Sequence, residues 1–591
     1  MHKFHIPVLG LSFSIDTPIK VAHYGISSVV SLSSDTLLED LRAHYNREYK
    51  LNYSPIDKTE DDYRAKRITA YLDMTNIIVN KKVEDIREAS LDKASDLTDY
   101  LEMLPKESQM KHWYLGYSQT SDPGIKSVLE TFIRNGITAG SIDVNIMTKV
   151  NKTNFGRDKN ALPPEYNDAL AALRGYAQST LNSSVVFSAG FNPRLYSYLE
   201  QFDDFYPNAL GVIKKKVILK VSDYRSAEIQ GKFLAKKGIW VSEFRIESGL
   251  NCGGHAFPTE GLLIGPILNE FKNNRSALIE ELFELCKPVW VKRGISITEI
   301  APNLSVTVQG GIGTPEEQKF LINKYGLEST GWGTPFLLVP EATTVDETTL
   351  EKLMAAKSED LYLSKSSPLG VPFNNLKSTD SENTRQSRIS KEKPGSPCLK
   401  QYLVSNTEFT KEPICTASRQ YQYLKIKELD SKNLSKDVYN EAFENIVVKA
   451  CLCEDLAAPA YTNNKLTPKI KASTAICPGP NLAFFSRKYS LKEMVGHIYG
   501  NGPLLSSNSR PHVFINELKL YIDYLESEGR EMLQNFSAKQ HKYLESFKEN
   551  LEKGVSYYES LIPEINLATF KKDLQKLGSR LSEMLLPEPA L

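Results

Sequence analysis

Short runs of apolar and β-branched residues recur through residues 1–340 of the chain. Most of these runs are almost continuously apolar rather than alternating, which is typical of strands that are covered on both faces. A helical pattern follows most of them, for example over residues 164–181. The runs that predict strands are residues 5–11, 26–32, 141–147, 184–189, 216–221, 239–246, 304–309 and 329–338.

Eight predicted strands with helical patterns between them indicate an α/β protein, with a (β/α)₈ TIM barrel lengthened by insertions. Periodicity alone does not separate a closed barrel from an open, doubly wound sheet. The count of eight favours the barrel, which we predict over residues 1–355.

Three other segments complete the predicted organisation. Residues 33–140, between the second and third strands, are charged and helix-forming, and they predict a helical lid, an interface or a solvated helical annex. Residues 356–400 become polar and poor in apolar residues, which predicts a linker or a crossing segment. Residues 401–591 are predicted to be mainly α-helical, and their last part carries the spacing of long amphipathic helices.

Composition narrows the possible partners and the compartment. The 72 basic and 72 acidic residues balance, so no overall field attracts nucleic acid or an anionic membrane. The chain has no apolar run of about twenty residues, and the apolar segment near its start is too short for a secretory signal. Seven cysteines in 591 residues do not make a disulfide scaffold. These features predict a cytoplasmic protein with reduced thiols and without a nucleic-acid or membrane partner.

Two glycines and a histidine follow the sixth predicted strand, where residues 247–257 read ESGLNCGGHAF. In a barrel the functional residues lie at the C-terminal ends of the strands. Gly253 and Gly254 would let the backbone approach a planar ligand, because a Cβ atom would fill that space. His255 could exchange a proton near neutral pH. A tight turn needs the same glycines, so both interpretations stay open on these residues alone.

Two more glycine turns follow the last two predicted strands. Gly310 and Gly311 end the seventh, and Gly333 and Thr334 follow the eighth. Many barrels hold a phosphate at this place, through backbone N–H groups and a helix N-terminus. The two turns in this order therefore predict a phosphate site.

The same segments resemble the flavin-binding barrel of nitronate monooxygenases, formerly called 2-nitropropane dioxygenases, whose relatives include FMN-dependent enoyl-ACP reductases. The resemblance rests on NCGGH at 251–255, QGGI at 309–312, GTPF at 333–336 and PEA at 340–342, in this order. It implies an FMN-dependent oxidoreductase that oxidises a nitronate-like carbon acid or reduces an enoyl thioester.

The resemblance also implies roles for individual residues. The two turns after the last strands would hold the FMN phosphate. Asn145 and Lys220, at the ends of the third and fifth strands, would face the isoalloxazine, where a cation stabilises the reduced flavin. The glycines before the histidine would bring the backbone close to the ring, and His255 would be the acid or base beside it. The cofactor-binding residues are thus Asn145, Lys220, Gly253, Gly254, Gly310, Gly311, Gly333 and Thr334.

The electron donor and the partners stay open. The sequence has no convincing Gly-x-Gly-x-x-Gly unit, so direct use of NAD(P)H or of oxygen at the flavin is undecided. The substrate would be a small molecule or an acyl thioester, and the helical segments could serve a homo-oligomer or a synthase partner. The alternative function is a non-catalytic or partner-dependent flavin-barrel protein that uses these segments for binding and assembly.

Five of the seven cysteines lie in the last third of the chain. Thiolates could gather there as a zinc or iron–sulfur site. A Cys-x-Cys pair is a poor chelate for one ion, however, and buried free cysteines are common. We therefore predict no metal, with Cys398, Cys415, Cys451, Cys453 and Cys477 as the weak candidates.

Overall fold

Eight parallel strands form a closed barrel in the computed structural model, which describes residues 2–156, 158–253, 260–296, 299–467, 472–506, 510–534 and 536–586. The strands follow one another in chain order, and the first pairs with the last. The predicted α/β fold with a (β/α)₈ barrel is confirmed. The strands are β1 (Phe4–Ile6), β2 (Ser27–Ser31), β3 (Ile142–Met147), β4 (Ser184–Ser188), β5 (Lys216–Val221), β6 (Val241–Glu247), β7 (Ser305–Gln309) and β8 (Ser329–Gly331).

The strand runs are almost continuously apolar because both faces of the strands are covered. All five residues of β4 are buried. Val185 and Phe187 belong to the large core that the helices share, whereas Val186 belongs to a separate cluster with Val29 and Ile218. Since successive side chains of a strand point to opposite faces, this second cluster fills the barrel interior.

Two strands are shorter than their apolar runs predict. β1 ends at Ile6 because Pro7 has no N–H to continue the ladder. β8 ends at Gly331, and the apolar residues after it form a short 3₁₀ helix, Thr334–Leu338. The residues after both strands meet at the C-terminal end of the barrel, where Gly333 lies against Leu9.

The insertion predicted over residues 33–140 is helical, with five helices between β2 and β3. The longest packs on the helix that precedes β4. The later ones form a small core of their own around Tyr100 and Ile133. The insertion is therefore a packed annex beside the barrel. The first helix of the chain is α1 (Thr17–Val21), and the insertion contains α2 (Asp35–Glu48), α3 (Tyr63–Glu88), α4 (Asp96–Met103), α5 (Gln109–Gln119) and α6 (Pro123–Gly136).

Side-chain caps set the start of several later barrel helices. Asn167, Asp223 and Thr314 each accept a hydrogen bond from the backbone N–H three residues further on. Asp223 and Thr314 follow β5 and β7 within five residues and so direct each helix back along the barrel, whereas a longer loop separates Asn167 from β3. The helices are α7 (Asp168–Gln178), α8 (Pro193–Tyr198), α9 (Tyr224–Ala235), α10 (Ile264–Lys292), α11 (Pro315–Tyr325) and α12 (Glu347–Ala355).

The predicted linker contains an antiparallel hairpin and a helix. Phe373 of the hairpin is buried at the barrel mouth, so this segment packs on the barrel rather than crossing it as extended chain. The C-terminal region is helical, as predicted. The hairpin is formed by β9 (Leu361–Ser364) and β10 (Phe373–Leu376), and the helices are α13 (Asp380–Ser390), α14 (Arg419–Asp430), α15 (Lys436–Val447), α16 (Leu452–Asp455), α17 (Ala458–Asn463), α18 (Leu491–Ile498), α19 (Val513–Gln534), α20 (Ala538–Ser560), α21 (Ile562–Ile565) and α22 (Ala568–Ser582).

The C-terminal helices pack back on the start of the chain. His2 Nδ1 and the Tyr499 hydroxyl share a hydrogen bond of 3.0 Å, and the same hydroxyl accepts a bond of 3.1 Å from the Lys3 N–H. None of the helices in the described ranges combines the length and the hydrophobicity that a membrane crossing requires.

Candidate functional site

A cavity of about 90 Å³ lies at the C-terminal mouth of the barrel. Its floor comes from the ends of β1 to β5, and its cover comes from the hairpin and from residues 402–456 of the C-terminal region. Most of the lining is apolar, so the few polar side chains in it are the candidates for binding. The described lining residues are Val8, Gly10, Leu11, Ser31, Ser33, Asn145, Met147, Val150, Ser188, Ala189, Lys220, Gly253, Phe373, Tyr402, Leu403, Leu452, Cys453 and Leu456.

Lys220 reaches this mouth as predicted, but it already has a partner. Its Nζ lies 2.9 Å from Glu247 Oε1, and both side chains are almost fully buried. Gln309 Nε2 donates to the same carboxylate oxygen at 2.8 Å. The charge of Lys220 is therefore largely balanced within the protein. Sequence reasoning missed Glu247 and Gln309, although β6 and β7 pair them directly in register.

Asn145 also reaches the mouth, and one of its polar atoms has no partner. Asn145 Oδ1 is buried and accepts no hydrogen bond among the described residues, and the same is true of Gln309 Oε1. A buried amide oxygen without a donor is costly, of the order of 1–3 kcal/mol. A planar ligand that carries an N–H group would satisfy Asn145.

The turn after β7 packs on the loop after β6. Gly310 and Gly311 have φ angles of +108° and +79°, which glycine adopts most easily. A Cβ on Gly311 would collide with Leu250 Cδ1 and lie 2.8 Å from Leu250 Cβ. The barrel's own packing thus requires these glycines, and their role with a phosphate stays a prediction.

A segment of the C-terminal region, residues 477–481, fills the space beside the turn after β8. The Gly479 N–H donates to Thr334 Oγ1 at 3.1 Å, and Asn481 Nδ2 donates to the Ile312 carbonyl at 2.9 Å. A Cβ on Gly479 would lie 2.5 Å from the Leu250 carbonyl and 2.7 Å from Thr334 Oγ1. Nothing of the size of a phosphate fits between Gly479 and Thr334 in this arrangement.

A carboxylate stands at the N-terminus of α11, where barrels commonly bind phosphate. Glu317 Oε2 accepts from the Gly313 N–H at 2.9 Å, and Glu317 Oε1 accepts from Arg510 Nη1 at 2.6 Å and from the Val513 N–H at 2.7 Å. Burial acts to raise the pKa of Glu317, but the Arg510 charge and these hydrogen bonds hold it below its usual value. The helix end is thus neutralised from within the chain.

The mouth and the two glycine turns are therefore two separate parts of the structure. Gly253 lines the mouth, but Gly310, Gly311, Gly333 and Thr334 are not among its described lining residues. The side chains of the mouth suit a flavin ring chemically, because they offer an amide oxygen that has no donor among the described residues and a lysine between apolar walls. The cavity of about 90 Å³ is smaller than a typical cofactor pocket, so the mouth would have to open for the ring. The phosphate end does not fit in this arrangement, because the chain's own residues fill it.

The structure explains why one of the two glycines in the glycine–histidine stretch, Gly253, has to be a glycine. Its φ angle is +86°, and a Cβ there would collide with the Gly10 nitrogen and lie 2.7 Å from Leu9 Cα. Its N–H donates to the Cys477 carbonyl at 3.2 Å. Glycine is needed because the loop crosses the backbone after β1. Gly254 and His255 lie outside the described residues, so their roles stay predictions.

Glu517 of α19 is a site residue that sequence reasoning missed. It binds both sides of the glycine–histidine stretch, since Oε1 accepts from Ser248 Oγ at 2.6 Å and Oε2 accepts from the Ile264 N–H at 2.8 Å. Tyr558 adds a hydrogen bond of 3.4 Å. Burial raises the pKa of Glu517 to about 7. The carboxyl group therefore links the residue after β6 to the start of α10. The predicted catalytic residue His255 lies between these two elements in the sequence.

This raised pKa makes stability depend on pH. Between the usual pKa of about 4.5 and about 7, the folded protein keeps a proton on Glu517 that the unfolded chain has lost. Stability should therefore fall as pH rises through this window, by at most about 1.4 kcal/mol per pH unit. Urea unfolding of Glu517→Gln from pH 5 to pH 8 should show this fall removed. The exposed control Glu549→Gln should keep it, and an unchanged slope in Glu517→Gln would assign the pH dependence to other groups.

The five candidate cysteines of the last third of the chain divide between two places. Cys477 lies beside Cys252 under the loop after β6. The four others, Cys398, Cys415, Cys451 and Cys453, lie near one another in the C-terminal region. Within the described ranges, no group of three or more histidine, cysteine, aspartate or glutamate side chains is arranged to hold a metal ion.

Comparison with known proteins finds only weak structural similarity. No protein-family model matches the sequence, and no curated protein does. A FabK mutant from Thermotoga maritima is similar to 68% of this chain over 82% of its own, at 14% identity and a TM-score of 0.30. The enoyl reductase domain of MlnA, from the macrolactin biosynthesis cluster of Bacillus amyloliquefaciens, is similar to 71% over 90% of its own, at 16% identity and a TM-score of 0.33. Sequence identities and TM-scores this low carry no conclusion about function, which therefore depends on the residues of this chain.

Proposed function

We propose that the protein is a flavin-dependent oxidoreductase in which Asn145 and Lys220 hold the flavin ring at the barrel mouth. The observation that supports this most is Asn145, which lines the largely apolar cavity and whose buried Oδ1 accepts no hydrogen bond among the described residues. An N–H of the ring would supply that donor. A bound flavin would bring the electron-transfer chemistry that no side chain of the mouth provides.

The proposal is tested by flavin binding. Purified protein should take up FMN, and Asn145→Leu should weaken the binding about tenfold, which corresponds to about 1.4 kcal/mol and one hydrogen bond. Leucine has nearly the shape of asparagine, so the cavity should persist. The exposed Asn383→Leu is the control and should bind as the wild type does. Protein that binds neither FMN nor riboflavin would overturn the proposal in favour of a non-catalytic barrel that serves assembly.

Riboflavin, which lacks the phosphate, tests the phosphate site separately. A phosphate held by Gly311, Gly333 and Thr334 requires Gly479 to move away from Thr334, and FMN would then bind much more tightly than riboflavin. Equal affinities would mean that residues 477–481 and Glu317 keep this space. Substitution of Gly311 is a poor test, because any Cβ there strikes Leu250 whether or not a phosphate binds.

The chemical step is proposed on the resemblance. His255 would be the acid or base toward a nitronate-like carbon acid or an enoyl thioester, with NAD(P)H as a possible electron donor and a synthase or a second copy of the chain as a possible partner. Turnover of nitronates and of enoyl thioesters with NADH and NADPH separates the two substrate classes. A His255→Ala variant with wild-type turnover would exclude the histidine from the reaction.

A further inference from the structure

A second cavity, of about 720 Å³, lies directly behind the wall of the barrel mouth. Residues 398–404 form this wall. Gln401 and Val404 line the second cavity, whereas Tyr402 and Leu403 between them line the mouth. The second cavity is therefore a separate space that uses the other face of the same segment.

Two thiols line this second cavity side by side. Cys398 and Cys415 are both among its lining residues, and the bridges between Ser396 and Ser418 and between Asn406 and Ile414 bring their two segments together. Cys398 is partly exposed and Cys415 is buried. Cys398 also has a φ angle of +53°, a conformation that a residue with a Cβ adopts at an energetic cost. Of the two thiols that line the cavity, Cys398 is thus the more accessible to an entering molecule.

The surroundings give the two thiols different proton affinities. A hydrogen bond from the Cys415 thiol lowers the pKa of Cys398 to about 7, against the effect of burial, and the Gln401 N–H and the Lys152 ammonium act in the same direction. Glu454 acts weakly against them. Donation of that hydrogen bond, together with burial, raises the pKa of Cys415. Cys398 is therefore the thiol that loses its proton more readily, and Cys415 is the one that keeps it.

We propose that Cys398 and Cys415 are a redox-active dithiol that reduces disulfides entering the second cavity. The Cys398 thiolate attacks one sulfur of the incoming disulfide, whose S–S bond breaks, and a mixed disulfide forms as the first substrate thiolate leaves. Cys415 then loses its proton and attacks Cys398 Sγ, which expels the second substrate thiolate. The chain ends with a Cys398–Cys415 disulfide, and the substrate has gained the two electrons.

The lining of the cavity indicates which disulfides fit. Lys393 and Arg419 bring positive charge to it and Glu392 brings one negative charge, while Tyr423 and Ile426 add apolar surface. A small disulfide that carries carboxylate groups matches the excess of positive charge.

The neighbouring cysteines are poorer nucleophiles. Burial raises the pKa of both Cys451 and Cys453, so neither is a thiolate near neutral pH. Cys453 also faces the barrel mouth rather than the second cavity. Both serve as internal controls for the reactive pair.

The test uses the full chain, fully reduced and without flavin, and a small aromatic disulfide that carries carboxylates and releases a coloured thiolate. At pH 7 we expect Cys398 to react about three- to fourfold faster than an ordinary exposed cysteine, because its larger thiolate fraction outweighs its lower nucleophilicity. A second equivalent of the coloured thiolate should follow at a rate independent of protein concentration. A neutral aromatic disulfide should react more slowly.

Variants with one cysteine replaced by serine show which cysteine carries out each of the two steps. Cys398→Ser should lose the fast phase, whereas Cys415→Ser should release one equivalent in that phase and retain a mixed disulfide on Cys398. Cys451→Ser should behave as the wild type does. Peptide mapping of oxidised wild-type protein needs no variant and should find the Cys398–Cys415 bond. A fast phase that survives in Cys398→Ser, or a mapped bond between other cysteines, would overturn the proposal.

Discussion

Replacement of Arg510 by methionine should lower the free energy of unfolding by about 3–5 kcal/mol, the cost typical of breaking a buried ion pair by removing one partner. Arg510 and Glu317 are 2% and 3% exposed, and their charges meet at 2.6 Å. Arg510 also donates to Asn481 Oδ1 and to the Gly311 carbonyl. Methionine fills much of the same space but leaves the Glu317 carboxylate without its cation.

Urea unfolding measures this effect, and two further variants show its cause. The double variant Arg510→Met with Glu317→Gln should recover most of the loss, because no buried charge then remains unpaired. Arg487→Met is the matched control, since Arg487 pairs with Glu493 on the surface, and it should change stability by less than about 1 kcal/mol. A loss in Arg510→Met no larger than in this control would mean that Glu317 is solvated or protonated there.

Lys220→Met is expected to destabilise the barrel mouth by a similar amount, about 3–5 kcal/mol. The substitution leaves Glu247 buried, with Gln309 as its remaining neutral donor. The carboxylate would then take up a proton or draw in water, and both cost free energy. The unfolding free energy should therefore depend on pH more steeply in the variant than in the wild type.

A double variant separates charge from packing here as well. Lys220→Met with Glu247→Gln removes both charges and should restore most of the stability. Lys232→Met breaks partly exposed pairs with Glu228 and Glu281, and it should cost less than about 1 kcal/mol. If the double variant is as unstable as Lys220→Met alone, the lysine acts through its packing, and the charge pair is not the reason.

The barrel follows from the sequence because its signal is local. Each strand is covered on both faces, so its apolar run needs no distant partner to be recognised, and β3, β4 and β5 lie where their runs predict. The ends of the strands were predicted less accurately, because single residues decide where a strand stops. Pro7 stops β1, and the residues after Gly331 leave β8 for a 3₁₀ helix that has Pro335 in its first turn.

The site was only partly predictable, because many of the residues around it come from segments that are distant in the sequence. Lys220 and Asn145 reach the mouth as expected, since strand ends carry them there. Glu317 could have been recognised from its position three residues after Thr314, a spacing that closes a capping box. Its partner Arg510 lies in another part of the chain, and no local pattern connects the two. The position of Gly479 beside Thr334 could not be predicted for the same reason. The sequence alone does not indicate which segment covers a barrel mouth.

The contacts between Tyr499 and residues 2–3 have a consequence for the order of assembly during synthesis. Synthesis runs from the N- to the C-terminus, so the hydroxyl that holds these residues is made almost 500 residues after them, at a separation of 497 from His2. β1 also waits for β8, its neighbour in the closed barrel. Until β8 has been made, the nascent chain therefore carries apolar strand β1 with one edge unpaired, and shielding by a chaperone would keep this edge from neighbouring chains.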